Sequence, residues 1–147
     1  MIAMQIIGDK QVIQRLQVAK IRGMTAARLG LKAGALIIET EAKKNAPYRT
    51  GNLRRSITSG EVKQFGNDLG IEIGTDVEYA YLIEFGTPPH VIQVRDARVL
   101  TDGKGNFFGK KVMHPGTAPN PFLRKSLDEK GGEARAEIAK VIKMAFV

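Results

Sequence analysis

Apolar residues at helical spacing, with no proline before Pro47, are the feature that most constrains this fold. Asp9 is suited to cap the free amides at a helix start. Since proline disfavours helical geometry in the residue before it, the helical segment should end ahead of Pro47. The residues at helical spacing fall into two runs, on either side of Gly23: Val12, Ile13, Leu16 and Ala19, then Leu29, Ala33, Leu36 and Ile37 with Thr40 on the same face. The pattern predicts helix over residues 9–45, either as two helices with Thr25 capping the second or as one long kinked helix.

The segments that follow favour antiparallel strands. Residues 56–75 are predicted to form a hairpin with a turn at 66–68, because apolar residues alternate with glycine or glutamate from 69 to 74. Residues 90–113 are predicted to form a second, extended hairpin around a Gly- and Lys-rich turn at 102–106.

Two further helices are predicted from their end signals. Asp76 is placed to cap a short helix over residues 76–86, with Gly86 at its left-handed C-terminal position. Asn120, followed by a proline, is placed to cap a C-terminal helix over residues 120–146.

This order of elements predicts an α+β fold, because the helices are segregated from the antiparallel strands. We expect a small antiparallel sheet packed against long N-terminal and C-terminal helices, with the extended β-hairpin projecting from it. A length of 147 residues predicts one domain spanning 1–147.

Composition excludes several classes of protein. The chain has no cysteine, so disulfides, thiolate metal sites and thiol nucleophiles are excluded. No apolar run approaches the roughly 20 residues that span a bilayer. The first ten residues lack a basic region followed by a long apolar stretch, which predicts no signal peptide.

The formal net charge of +8 suits nucleic acid, an anionic membrane surface or an acidic protein surface as a partner. The densest basic stretch surrounds Tyr48 and offers candidate contacts to DNA or to an acidic surface: Lys43, Lys44, Arg49, Arg54 and Arg55. A loop of this kind could grip phosphates and stack a base. The alternative is a solvated loop that forms salt bridges with neighbouring acids.

No catalytic motif is found, and the sequence predicts no enzyme, no cofactor and no metal site. His90 and His114 are the only imidazoles, and each lies beside proline, so hydrogen-bonding roles in turns are favoured. A metal-dependent hydrolase is the alternative, and it would have to recruit Glu84, Asp96 or Asp102 as further ligands.

Glu84 is unusual because an acid so close to a helix end opposes the helix dipole. We therefore expect it to pair with a basic residue of the preceding loop, either Arg49 or Arg54.

Several stretches occur in an order that resembles the head–tail joining proteins (neck or tail-completion proteins) of long-tailed bacteriophages and prophages. They read NAPYRTGNLRRSI, GTDVEYAYLIEFGT, PHVIQV and HPGTAPNPFLRKSL. Three hallmark elements match: A-P-x-x-T-G-x-L-x-x-S-I at residues 46–57, Y-A-x-x-x-E-F-G-T at residues 79–87, and P-F-L at residues 121–123. The resemblance spans about residues 25 to 130.

The resemblance implies a non-enzymatic virion protein that joins the DNA-filled head to the tail. Its partners would be further copies of itself, in a homo-oligomeric ring for which a hexamer is one option, together with portal-side connector and tail proteins. DNA could pass through the assembly. No membrane and no small-molecule substrate is implied. The protein would be made in the host bacterial cytoplasm and reside in the neck or tail of the particle.

The same reading suggests residues for subunit or partner contact: Phe107, Phe108, Tyr48, Arg49 and Glu84. Phe107 and Phe108 lie on the extended hairpin, which could act as an arm donated to the next subunit. Cross-strand packing of these two aromatics within one subunit is the alternative. A basic DNA-binding protein without enzymatic activity remains the alternative function.

Overall fold

A computed structural model describes residues 9–94, 99–101 and 104–147. The helices are α1 (Asp9–Asn45), α2 (Asn52–Ser56), α3 (Ala80–Phe85) and α4 (Phe122–Met144). The strands are β1 (Thr58–Ser59), β2 (Lys63–Phe65), β3 (Asp68–Gly70), β4 (Ile73–Gly74), β5 (His90–Gln93), β6 (Leu100–Thr101), β7 (Phe107–Gly109) and β8 (Lys111–His114). Helices and antiparallel strand pairs are segregated along the chain, which confirms the α+β class. That the whole chain is a single domain stays a prediction.

The N-terminal helical segment is one continuous helix of 37 residues rather than two. Gly23 does not interrupt α1, and the absence of a side chain at this position matters for packing instead. A Cβ at this position would lie 3.2 Å from the ring of Phe146, so glycine makes room for a neighbouring aromatic.

Helices α1 and α4 pack antiparallel through small residues. A Cβ on Gly30 would lie 3.1 Å from the backbone oxygen of Ile138, and one on Gly34 would lie 2.9 Å from the Ile138 side chain. At the other end of the contact, the Asn45 amide donates to Ser126 Oγ at 2.9 Å. The two glycines, one turn apart, let the helix backbones approach closely.

The core is compact and lies at the C-terminal end of α1. It consists of buried residues from the four helices and from the positions that directly follow α1 and α2: Ala42, Ala46, Leu53, Ile57, Ala80 and Phe122. Phe122 and Ile57 are fully inaccessible to solvent. Burying each of these side chains contributes about 1.5–3 kcal/mol to the free energy of unfolding.

Both predicted hairpins are present as interrupted ladders. In the first, β1 pairs with β4 and β2 pairs with β3, with a two-residue connection after Phe65 in which Gly66 has φ 62°. In the second, β5 pairs with β8 and β6 pairs with β7, so that His90 lies opposite His114. Part of the predicted turn at 102–106 lies outside the described residues.

Two predicted helix caps are wrong. Helix α3 begins at Ala80 rather than at Asp76, and the Thr75 hydroxyl accepts the Val77 N–H at 3.2 Å in the preceding turn. Helix α4 has Pro121 at its cap position and no side-chain cap there, so Asn120 does not cap it.

A backbone lock joins the end of α3 to the segment before α4. Thr87 and Thr117 exchange N–H to carbonyl hydrogen bonds of 3.0 and 3.1 Å. Gly86 has φ 74°, the positive value that was predicted, although its ψ of −176° is extended rather than helical. A Cβ on Gly86 would overlap the Thr117 carbonyl oxygen, and one on Gly116 would overlap that of Thr87. Both positions therefore require glycine.

Candidate functional site

Glu84 caps α4 from a distance. Its side chain is buried, with 6% relative exposure. One carboxylate oxygen accepts the Leu123 N–H at 2.9 Å, and the other accepts the Arg124 N–H at 3.0 Å. The predicted pairing with Arg49 or Arg54 is wrong. The first amides of a helix carry partial positive charge, and here they take the place of a cation.

Arg54 fixes the loop that follows α1. Its Nε donates to the Ala46 carbonyl at 2.9 Å, and Nη2 donates to the Lys44 carbonyl at 3.5 Å. Its guanidinium carbon lies 5.2 Å from the centroid of the Tyr48 ring. Arg54 thus neutralises the negative C-terminal end of α1, which is a structural role beside any contact with a partner.

Lys43 and Lys44 are paired within the chain. Lys43 Nζ lies 2.6 Å from Glu39 Oε1, and Lys44 Nζ lies 3.0 Å from Glu41 Oε2. This is the alternative arrangement considered for the basic stretch, in which its charges meet neighbouring acids. DNA contact by these lysines stays a prediction, and it would compete with both ion pairs.

Glu39 joins α1 to β1. Its Oε2 accepts the Ser59 N–H at 2.8 Å and the Ser59 hydroxyl at 2.7 Å, while Oε1 accepts from Lys43. Burial would raise the pKa of Glu39, but the hydrogen bonds from Lys43 and Ser59 outweigh it and hold that pKa below its ordinary value.

An open groove of about 550 Å³ separates the loop after α1 from α3. It is lined by residues 47–53 together with Tyr79 and Ile83. The Arg49 side chain lines this groove and makes no ion pair or hydrogen bond within the described part of the chain, and neither does the exposed side chain of Arg55. Tyr48 is also exposed, at 69%. Of the predicted contact residues, Tyr48, Arg49 and Arg55 are therefore accessible to a partner.

The two histidines stack across the β5–β8 pair, with ring centroids 5.0 Å apart. His90 Nδ1 lies 3.0 Å from the Pro88 carbonyl oxygen, and the Gly116 N–H donates to His114 Nδ1 at 3.1 Å. Both histidines thus make local hydrogen bonds as predicted, although they lie at the ends of strands β5 and β8 rather than in turns. Among the residues that the structure describes, no group of three or more His, Cys, Asp or Glu is placed to hold a metal ion. Asp96 and Asp102 lie outside those residues.

The two hairpin phenylalanines differ in environment. Phe107 is 73% exposed and lies opposite Thr101. Phe108 lines a groove of about 330 Å³ formed within the hairpin, beside Ile92 and Leu100. Phe108 therefore packs within its own subunit, and contact of either phenylalanine with another subunit stays a prediction.

Sequence reasoning missed a long exposed surface on α1. All thirteen residues from Lys10 to Arg22 are exposed, including Val12, Ile13, Leu16, Val18 and Ile21. One feature of the sequence marks this surface, namely the absence of acidic residues between Lys10 and Ile38. On one side of this helix a groove of about 570 Å³, here called the α1 groove, is lined by Arg15, Val18, Arg22 and Phe146 among others.

A second exposed surface combines acids and aromatics at α3. We define the α3 patch as Asp76, Glu78, Tyr81, Leu82 and Phe85, all of which are exposed. The Tyr81 and Phe85 rings lie 4.9 Å apart, one helical turn from each other.

No helix in the described ranges has the length and apolarity needed to cross a membrane.

Comparison with known proteins gives one family. No curated protein and no solved structure matches the chain. Residues 10–86, which carry most of α1, the first hairpin and α3, match a family described as "Bacteriophage HK97-gp10, putative tail-component". The chain is therefore a member of the HK97-gp10-like family of bacteriophage tail components.

Proposed function

We propose that this protein is a head–tail connector of a tailed bacteriophage or prophage, a neck or tail-completion subunit that joins the DNA-filled head to the tail. The observation that carries the proposal is the family match over residues 10–86. The later elements at residues 121–123 extend the same resemblance beyond the matched range.

The exposed surface of the chain supports assembly. A compact monomer of 16.1 kDa exposes about 7,400 Å² by the usual scaling with mass, whereas this chain exposes 11647 Å². Large apolar side chains lie on that surface, among them Leu16, Ile21 and Leu36, each at least 58% exposed. A subunit of this kind is completed by neighbours, which accords with a homo-oligomeric ring in contact with portal-side and tail proteins.

The charge of the chain accords with a position near DNA. A net charge of +8 gives a positive field that attracts a polyanion passing through a ring. The proposed role requires no catalytic step and no cofactor. Three of the five basic residues proposed for contact with DNA or an acidic surface are engaged within the chain, namely Lys43, Lys44 and Arg54, and so direct DNA binding is the less favoured function.

A nonsense mutation in the gene, in the phage or induced prophage that carries it, tests the proposal. Electron microscopy of the lysate should show DNA-filled heads and separate complete tails, and supply of the wild-type gene from a plasmid should restore joined particles. Joined, infectious particles in the absence of the protein would show that the proposal is wrong.

A further inference from the structure

The first half of α1 is largely uncovered by the other residues that the structure describes, and Phe146 lies beside it at Gly23. Residues 10–22 are exposed on every side, and a helix of this length is only marginally stable alone in water. Its apolar residues would have to be covered by another surface to stabilise it. The α1 groove is thus a candidate docking site.

The charge of the groove specifies the chemistry of its occupant. Arg15 and Arg22 line it two turns apart, about 10.5 Å along the helix axis, and neither forms an ion pair within the described part of the chain. Val18 lies between them on the same side, and the Phe146 ring closes one edge. An occupant should therefore present acidic side chains beside apolar or aromatic ones.

The α3 patch has this chemistry. Asp76 and Glu78 form no ion pair with any described residue, and they adjoin three exposed apolar side chains. Tyr81, Leu82 and Phe85 are 66%, 47% and 51% exposed. Because residues three and four apart share a helix face, these three side chains can contact one surface together.

The two surfaces cannot meet within one molecule. The patch lies at the end of α1 that carries the core, where Ala80 packs with Ala42. Val18 and Ala42 are 24 residues apart on α1, a distance of about 36 Å along the helix axis. Pairing of two α1 grooves with each other is opposed by their like charge. A groove-to-patch contact must therefore join different copies.

We propose that the α1 groove of one subunit receives the α3 patch of the next, with Arg15 and Arg22 facing Asp76 and Glu78. The contact joins two different surfaces, so a pair of subunits still has one unoccupied groove and one unoccupied patch. Addition of further subunits by the same contact closes a ring or extends a filament. This inference builds on the proposed function, because it names the subunit contact on which that assembly depends.

Charge reversal tests the contact. Arg15→Glu with Arg22→Glu gives a groove variant, and Asp76→Lys with Glu78→Lys gives a patch variant. Each alone places like charges in apposition and should weaken self-association by at least about tenfold in sedimentation velocity runs. An equal mixture of the two variants should associate again, because every groove then finds a patch of opposite charge. The control, Arg135→Glu with Lys143→Glu on the exposed side of α4, should leave association unchanged.

A cysteine pair tests the geometry, since the chain has no cysteine of its own. When Val18→Cys and Tyr81→Cys subunits are mixed and oxidised, a disulfide-linked heterodimer should form in preference to either homodimer. A mixture of Val18→Cys with Leu127→Cys, whose residue is similarly exposed on α4, should cross-link far less.

Wild-type protein that stays monomeric at high micromolar concentration, or variants whose mixture fails to associate, would overturn the proposed contact. Equal cross-linking to Leu127→Cys would do so as well. These outcomes are distinct from failure of the proposed function, which is decided by the particles that a nonsense mutant produces.

Discussion

At the scale of the residue, Glu84 shows how a buried charge can be satisfied without a counterion. A carboxylate near the C-terminal end of a helix is expected to interact with a positive group, and this expectation follows from the sequence alone. The partner is concealed because it lies 39 and 40 positions away, at the backbone of Leu123 and Arg124. Only the fold brings the first amides of α4 to the carboxylate.

Replacement of Glu84 tests this cap. Glu84→Ala leaves two helix amides without an acceptor and removes a favourable charge–dipole contact, and so should lower the free energy of unfolding by about 2–4 kcal/mol. Glu84→Gln retains one acceptor and should lose less. The control Asp128→Ala, at an exposed site on α4, should change stability by less than about 0.5 kcal/mol in urea unfolding. Equal losses at the two positions would exclude the capping role.

Glu39 predicts a dependence of stability on pH. Its pKa in the folded protein is held below the ordinary 4.5 by Lys43 and Ser59. The resulting stabilisation is fully present above pH 4.5 and is lost as the pH falls through the lowered value. Glu39→Gln should therefore destabilise the protein at neutral pH and reduce the steepness of its acid unfolding.

The matched control for that experiment is Glu72→Gln, since this carboxylate is 68% exposed in its ion pair with Lys63. Free energies of unfolding measured across the acid range should show a clearly smaller change for this variant. If Glu39→Gln kept the wild-type acid dependence, another group would carry it.

At the scale of the element, the lock between residues 86–87 and 116–117 sets where the extended hairpin leaves the core. Gly116→Ala combines a positive φ, which costs about 1–2 kcal/mol, with overlap against the Thr87 carbonyl oxygen. Gly66→Ala shares the positive φ but has open space around it. Thermal unfolding should show a markedly larger loss for Gly116→Ala, and equal losses would mean that the close approach contributes nothing.

Elements with a strong periodic signal could be predicted from the sequence, and those that depend on tertiary partners could not. The C-terminal end of α1 follows from Pro47, and the turn of the first hairpin follows from Gly66. The predicted caps failed at Asp76 and Asn120. At Asp76, a turn delays the start of α3 to Ala80. At Asn120, the carboxylate of Glu84 takes the place of a local cap on α4.

At the scale of the whole molecule, the three hallmark elements meet in one corner. Ile57, Ala80 and Phe122 come from the three elements and share the core. Their order along the chain was visible in the sequence, but their convergence was not. The outer half of α1 extends away from that corner, which is why the surface of the chain is so large.

The candidate site was predicted only in part, for a physical reason. Composition shows which residues are charged, but not which of them already have partners. Lys43, Lys44 and Arg54 are engaged within the chain, whereas Arg49 and Arg55 are not. The α1 groove was not predicted, because helical periodicity shows which apolar residues share a helix face but not whether that face is covered.

The most direct test of the head–tail role is to complete assembly in vitro. Lysate of the nonsense mutant, containing filled heads and free tails, is mixed with purified protein and titrated for infectious particles. We predict that wild-type protein restores the titre, and that the charge-reversed groove variant does so far less well. A titre that stays at background with folded wild-type protein, while heads and tails are both present, would contradict the account.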